Sequence, residues 1–402
     1  MEKSHFTVWI FAVAVSYVIF KDLEYWQFIA PLIAVSGIAL LVAKYRIKHI
    51  EYLLFFTISF ASLLGLTETL DGSHAESSNV LLYGLSFYTA SMAFLIAKNK
   101  FNYKKVLAVS NPLLLSTGPI ALFIEGISHK NLKQRIKYYF PFIIIGTFMF
   151  QIIGRPLTEF FFLIEKTDVM SVITFAAIFE IFVYMNFCGL SLMIYGLFGL
   201  FGYRIPLNFN QPFSSRNIVE FWRGWHTSLS QVLKILFYNP IREKFSLFYA
   251  LLGVYIASAM WHGVTFNFIL WGTFHAFFFW LSIKLLKQRN NVLPLILMPF
   301  IILVGRLIFA DSDIDRLMEK LIFNFGGLDG IKPILFVSKT SLLALFFGSI
   351  IITIEFVFRN TKVMKKRNYK FLRTPFGLLV LCVLGVIFIT DVGVDYAVYG
   401  QR

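Results

Sequence analysis

Charge is scarce in this chain, and so is cysteine. Only 15% of the 402 residues are charged, against about a quarter in ordinary soluble domains, which excludes a normally solvated globular surface. Cys188 and Cys382 each stand alone in an apolar stretch. Neither a disulfide framework nor a metal site is indicated, and both read as core residues. Long polar stretches are missing as well: the longest run to about 15 to 35 residues, too short for a soluble domain. No internal repeat is apparent, which argues against an inverted-repeat transporter.

The chain is instead 58% hydrophobic and 18% aromatic, with a mean hydropathy of +0.72. Apolar runs of about 17 to 25 residues recur throughout, enough to cross a bilayer as helices. The pattern predicts an all-α, polytopic integral membrane protein, with 1–402 forming a single membrane-embedded domain. The first run, 6–20, lacks a small-residue cleavage site and is soon followed by another, so it reads as a retained span rather than a signal peptide.

A net charge of +15 raises nucleic acid as a partner, but its distribution points to the lipid bilayer. Lys and Arg concentrate in the short loops 44–48, 98–105, 129–137, 284–289 and 359–373, while 71–78 and 311–315 are acidic. That alternation is the positive-inside pattern. It predicts a cytoplasmic N-terminus, an extracytoplasmic C-terminus and about eleven spans, near 6–20, 27–43, 52–70, 79–97, 138–153, 169–200, 246–260, 265–286, 292–310, 334–358 and 374–390. Residues 106–127 break the alternation and contain Asn111-Pro112 and Gly118-Pro119, so they are expected to be re-entrant from the cytoplasmic side.

Residues 204–245 form the longest interruption of hydrophobicity. Asn217 and Glu220 resemble a capping box. From there Ile218, Phe221, Trp222, Trp225, Leu229, Val232, Leu233 and Leu236 recur at helical spacing, with Arg223, Thr227, Ser230, Gln231 and Lys234 opposite. The spacing predicts one amphipathic helix along the cytoplasmic interface, its aromatic face inward.

Three of the seven histidines, His226, His262 and His275, fall within fifty residues, together with Trp222, Trp225, Trp261 and Trp271. A lone membrane histidine is more often a packing residue than a catalyst. His262 departs from that prior because it sits between Trp261 and Gly263 at the junction of two spans, where a backbone or ligand can come close. Its ordinary pKa near 6.5 suits proton transfer. Glu180 lies in the middle of a span and is a functional candidate by default, though a structural partnership with a neighbouring polar group is the favoured reading. His275, one turn beyond Trp271, divides evenly between a structural hydrogen bond and a supporting role at the site.

The stretches "NFNQPFSSRNIVEFWRGWHTSLS" (208–230) and "SAMWHGVTFNFILWGTFHAF" (258–277) together resemble the membrane-bound O-acyltransferase family. The nearest branch acylates bacterial cell-surface polymers, including alginate O-acetylation and teichoic-acid D-alanylation proteins. "GLSFYTAS" (84–91), "STGPI" (116–120), "GLFGLFGYRIP" (196–206) and "RLIFADSDIDRLMEKLIFNFGG" (306–327) extend the resemblance over about 80–327. It implies a bacterial inner-membrane enzyme with a catalytic His262, matched to the histidine of the W-H-G motif. His226 would be the second member of the pair, both facing a central cavity. Trp225, Trp222, Trp261, Gly263, His275, Trp271 and Asn267 are the expected substrate-binding or supporting residues. No bound cofactor or metal is expected. The implied donor is an acyl thioester, acetyl-CoA or an acyl-carrier protein, and the implied acceptor is a polysaccharide. A carrier protein or an extracytoplasmic acyltransferase is the implied protein partner.

The chain departs from the family pattern at Ser191-Leu192, Asn186 and Lys234-Ile235, which leaves donor and partner contacts open. Proton-relay transport by the histidines, D-alanyl in place of acetyl transfer, and a catalytically dead scaffold are the alternatives.

Overall fold

The computed structural model describes residues 36–38, 41, 45, 49–63, 75–100, 103–111, 114, 116–124, 130–287, 292–322, 329–360, 369–370 and 372–388. The expected span 6–20, most of 27–43, part of the acidic loop 71–78 and the C-terminal stretch from 389 lie outside the described residues. The described residues form helices and no strand: α1 (Ile50–Phe55), α2 (Thr57–Leu63), α3 (Ala75–Ala97), α4 (Tyr103–Val109), α5 (Leu132–Thr147), α6 (Val169–Leu200), α7 (Ile218–Gly224), α8 (Thr227–Leu233), α9 (Asn239–Lys244), α10 (Leu247–His262), α11 (Phe266–Lys287), α12 (Val292–Ala310), α13 (Ile314–Leu321), α14 (Lys339–Val357) and α15 (Pro375–Phe388).

Among them, five helical stretches are long and apolar enough to cross a membrane: Leu132–Glu165, α6, α11, α12 and α14. Leu85–Ala97, α10 and Pro375–Gly385 are apolar but shorter. Each falls on a predicted span. The one predicted near 138–153 is longer than expected, because α5 continues through a π-helical stretch (Phe148–Gly154) into a 3-10 helix (Arg155–Glu165).

Helix α6 is the central post. Asp168 caps it, its carboxylate accepting from the Ser171 N–H at 3.0 Å, and its 32 residues make it about 48 Å long. Where α5 and α6 pack together they meet glycine to glycine. A Cβ on Gly146 would stand 2.5 Å from the Gly189 carbonyl oxygen, and one on Gly189 would stand 2.8 Å from that of Gly146. Small residues that let backbones touch are the common glue between membrane helices, since lipid gives no hydrophobic drive to associate.

Residues 106–127 form a broken segment. Helix α4 stops at Val109 and a short 3-10 turn follows at Pro119–Phe123, while Asn111, Leu114, Thr117 and Ile120 are buried between other elements. The expected single amphipathic helix is also broken. Its inward face is as predicted, with Ile218, Phe221, Trp225, Leu229, Val232 and Leu236 buried, but α7 ends at Gly224 and α8 begins at Thr227. The two residues between them are Trp225 and His226, and the periodicity passes through the break because both helices keep the same face inward.

Candidate active site

The loop leading into α7 builds one wall of the site. The Asn210 N–H donates to the Gly224 carbonyl at 2.9 Å, folding the loop back over the helix. Asn217 caps α7 by accepting from the Glu220 N–H at 2.9 Å. Glu220 answers by accepting from the Arg216 N–H at 3.1 Å, one residue before the position a capping box implies.

After α7 the backbone is extended at Trp225 and left-handed at His226, with φ 43° and ψ 57°. Histidine tolerates that region better than most residues. The His226 Nδ1 caps α8 by accepting from the Leu229 N–H at 3.4 Å. Asn208 holds the same turn from below. Its carbonyl accepts from the Thr227 N–H at 2.9 Å, its Oδ1 accepts from the Ser228 N–H at 3.2 Å, and its Nδ2 donates to the Thr117 carbonyl at 2.5 Å. That last bond presses Gly118 onto the histidine. Gly118 has φ 110°, and a Cβ there would lie 2.5 Å from His226 Cε1, so glycine is required on both counts.

These contacts set the chemistry of His226. With Nδ1 accepting from the backbone, the proton of the neutral ring belongs on Nε2. Nε2 is buried without a hydrogen-bond partner among the described residues. Burial, and next the neighbouring His262 ring, hold this histidine below its ordinary range, so it is neutral at physiological pH. It is a donor awaiting an acceptor.

His262 has no such harness. It is the last residue of α10, half-buried, with its ring 4.8 Å from Trp261, 5.0 Å from Phe309, 6.1 Å from Phe268 and 6.2 Å from Trp271, centre to centre. Gly263 ends the helix in extended backbone that any residue adopts. Space is what demands glycine there, because a Cβ would stand 2.6 Å from the Phe268 ring.

Both histidines line a cavity of about 820 Å³, as do Trp222, Trp225, Trp261 and Trp271. Along α10 the wall is Leu247, Leu251, Val254, Tyr255, Ser258, Trp261 and His262, one helix face from end to end, about 22 Å at 1.5 Å per residue. Asn186, Phe187, Leu190, Met193, Ile194 and Leu197 of α6 form the opposite wall. Arg223, Ser230 and Lys234 are exposed and also line the cavity, so part of the predicted outward polar face forms its mouth. Both π-helical stretches of the described residues border it as well, through Phe150 and Gln151 in one and Lys234 and Tyr238 in the other. Such local widenings of a helix are frequent at functional sites. The indole Nε1 of Trp222 and of Trp261 is buried without a hydrogen-bond partner among the described residues.

Three expected residues sit off the wall. Asn267 donates to the carbonyls of Ile308 and Phe309 at 3.3 and 3.2 Å and accepts from the Thr265 hydroxyl at 2.5 Å. It staples the start of α11 to the end of α12, which leaves its amide for structure rather than for substrate. Gly263 is covered by Phe268. His275 is buried among Trp271, Trp222 and Tyr255, at 4.9, 5.1 and 5.9 Å, behind the residues that face the cavity.

The structure adds Arg306, which lies on the wall and escaped the sequence reading. Its Nε donates to Glu180, the partnership foreseen for that carboxylate with its partner now identified. Its guanidinium lies 5.4 Å from the Trp225 ring centre and 5.8 Å from that of Phe309. The signal was present in the sequence as an Arg in one apolar run and a Glu in another, a pairing that charges inside a membrane require.

An all-helical protein with membrane-length helices and a long cavity holding two histidines is the class defined by this geometry. Residues 102–293, just under half of the chain, match the MBOAT, membrane-bound O-acyltransferase family. Similar proteins include a probable alginate O-acetylase of Pseudomonas aeruginosa, 33% identical over 156 residues, which are 36% of this chain and 29% of that protein. A peptidoglycan O-acetyltransferase of Helicobacter pylori is 38% identical over 96 residues, 23% of this chain and 18% of that one. A teichoic acid D-alanyltransferase of Bacillus subtilis is 26% identical over 155 residues, 33% and 38% of the two. The matched stretch thus spans less than two fifths of each of these relatives.

Proposed function

We propose that this chain is an integral-membrane O-acyltransferase of the bacterial cytoplasmic membrane. It takes a small acyl group, acetyl being favoured, from a cytoplasmic thioester carried by coenzyme A or an acyl-carrier protein. It passes that group to a hydroxyl of an extracytoplasmic polysaccharide or cell-envelope polymer, directly or through a partner. The carrying observation is the pair of histidines on one apolar cavity, His262 at the far end of α10 and His226 with its Nε2 unpartnered among the described residues.

His262 is the base. It takes the hydroxyl proton as the hydroxyl oxygen bonds to the thioester carbon, and the carbonyl electron pair moves onto oxygen. When the tetrahedral intermediate collapses, the C–S bond breaks and the thiolate leaves with the proton held by His262. His226, neutral and donating from Nε2, supports the oxyanion. The apolar wall keeps bulk water from the thioester. Proton-relay transport is less well supported, since the two opposite charges met in neighbouring spans, Glu180 and Arg306, bond to each other.

The test is acylation of the cell surface in a strain whose only copy is the gene for this protein. Alkali-labile acyl groups should appear with the wild type and vanish without it. Equal ester content in the two strains refutes the proposal. Orientation is tested separately with single cysteines in a cysteine-free variant: an impermeant reagent should label 312–315, the exposed part of the acidic loop, in intact cells and spare 98–105.

A further inference from the structure

We infer that Arg306 is a catalytic residue of the transfer reaction, the positive charge that stabilises the oxyanion of the tetrahedral intermediate. The inference rests on the acyltransferase reading above and extends it to a residue outside the histidine pair. Arg306 stands on α12 with its side chain only 10% exposed, and it lines the cavity. Glu180, which accepts from its Nε, does not line the cavity. The carboxylate is therefore behind the wall and the guanidinium in it.

Stability does not explain the pair. A buried ion pair commonly does no better than apolar residues of the same volume, because desolvation offsets the attraction. Glu180 is also incompletely bonded, its Oε1 having no hydrogen-bond partner among the described residues. Trp225 and Phe309 present their rings to the guanidinium, holding it in place.

The location supplies the function. The Phe309 ring lies 5.0 Å from the His262 ring and 5.8 Å from the Arg306 guanidinium, so the two groups border one ring, and all three residues line the cavity. During the reaction His262 gains the hydroxyl proton and becomes positive, so two cations would border the same cavity. An anion between them turns that repulsion into attraction. The arrangement therefore favours the tetrahedral state, with its negative oxygen, over the neutral thioester, which is the differential binding that accelerates a reaction. His226 Nε2–H is a neutral donor to the same oxygen, and Arg306 contributes the charge.

Neutralising both members of the pair separates chemistry from structure. The double variant Glu180→Gln/Arg306→Met leaves no charge stranded, so it should accumulate in the membrane as the wild type does. The rate at which radiolabelled acetate, or radiolabelled D-alanine in a parallel culture, enters alkali-labile surface esters should fall about 100-fold per molecule of protein, the scale of losing one oxyanion donor. Arg306→Lys, which keeps the charge, should retain a rate well above Arg306→Met at equal abundance.

A double variant that accumulates and acylates within a few-fold of wild type overturns the role of Arg306 and leaves the acyltransferase reading intact. Should the double variant fail to accumulate, Arg306→Lys and Arg306→Met decide: equal rates per folded molecule overturn the assignment, and a clear advantage for Lys supports it. A wild type that incorporates neither label overturns the acyltransferase reading and this inference with it.

Discussion

Two buried ion clusters draw on neighbouring positions at the end of α12, Arg306 and Asp311, and are built in opposite ways. At the end of α12, Asp311 is fully buried and saturated. Arg316 donates to it from Nε at 2.8 Å and from Nη2 at 2.7 Å, Lys320 from Nζ at 2.5 Å, and the Asp313 N–H at 3.2 Å. Lys320, itself fully buried, also donates to the Ile164 carbonyl, and Arg316 reaches Glu165 at 2.6 Å. Five residues earlier, the Arg306 Nε donates to Glu180, and the other carboxylate oxygen of Glu180 has no partner among the described residues. Around the cavity the same incompleteness recurs at His226 Nε2, Trp222 Nε1 and Trp261 Nε1. A buried polar atom without a partner costs roughly 1–3 kcal/mol. Saturation marks the cluster that locks α13 onto the 3-10 helix ending at Glu165. On the cavity wall, Asn186, Trp222, His226 and Trp261 each keep a buried polar atom without a partner among the described residues, available to a ligand there.

The largest expected effect falls on His262. His262→Ala should reduce surface acylation by about 10²–10⁴, the usual value of general-base help, at unchanged membrane abundance. Near-normal acylation at equal abundance would break the comparison at its centre.

Next is His226, whose ring does two jobs. His226→Asn separates them, because asparagine accepts the left-handed backbone and caps helices well. The variant should fold as the wild type does and still lose about 10²-fold in acylation, as for one oxyanion donor. Restored activity with Asn would reduce His226 to a helix cap.

Asp311→Asn probes the saturated side. Removing one partner of a buried ion cluster costs about 3–5 kcal/mol, so abundance and thermal stability should drop while acylation per folded molecule is kept. Burial raises the Asp311 pKa, but the hydrogen bonds and charges of Arg316 and Lys320 outweigh burial and leave it lowered. Its stabilisation is therefore present above the ordinary carboxylate range near 4 and lost as pH falls through the lower folded value. Thermal melts of the wild type should show that acid loss, and melts of Asp311→Asn should lack that component. A variant that is stable but inactive would move Asp311 into the site.

Much of this was legible from residue order alone. Apolar length marked the spans because a bilayer tolerates little else, and the inward face of 218–236 followed from helical spacing. The helix break at Trp225–His226 was hidden because α7 and α8 keep their faces in phase. Its cause is long-range: Asn208 bonds both to the start of α8 and to the Thr117 carbonyl, and no periodicity records such a tie. Arg306 and Glu180 are 126 residues apart, so each looked like an isolated charge until the fold joined them. Asn267 had the address of a ligand-binding residue, beside the W-H-G turn, yet α12 offers two carbonyls that occupy its amide first.

The smallest effect is expected at His275, and it tests whether incompleteness alone marks a working group. His275 Nδ1 has no hydrogen-bond partner among the described residues, which it shares with the atoms of the wall, but the ring itself does not border the cavity. Its neighbours are Trp222, Trp271, Tyr255 and the backbone of Gly305, where a Cβ would collide with the imidazole. The space is therefore shaped for a flat ring. His275→Phe keeps an aromatic disc and gives up no bond at Nδ1, so acylation should stay within a few-fold of wild type. His275→Ala leaves a void, for which a few kcal/mol of stability is the ordinary penalty, and abundance rather than rate should suffer. If His275→Phe accumulates normally and fails to acylate, the ring acts through its nitrogens, and the working part of the site extends one layer behind the wall.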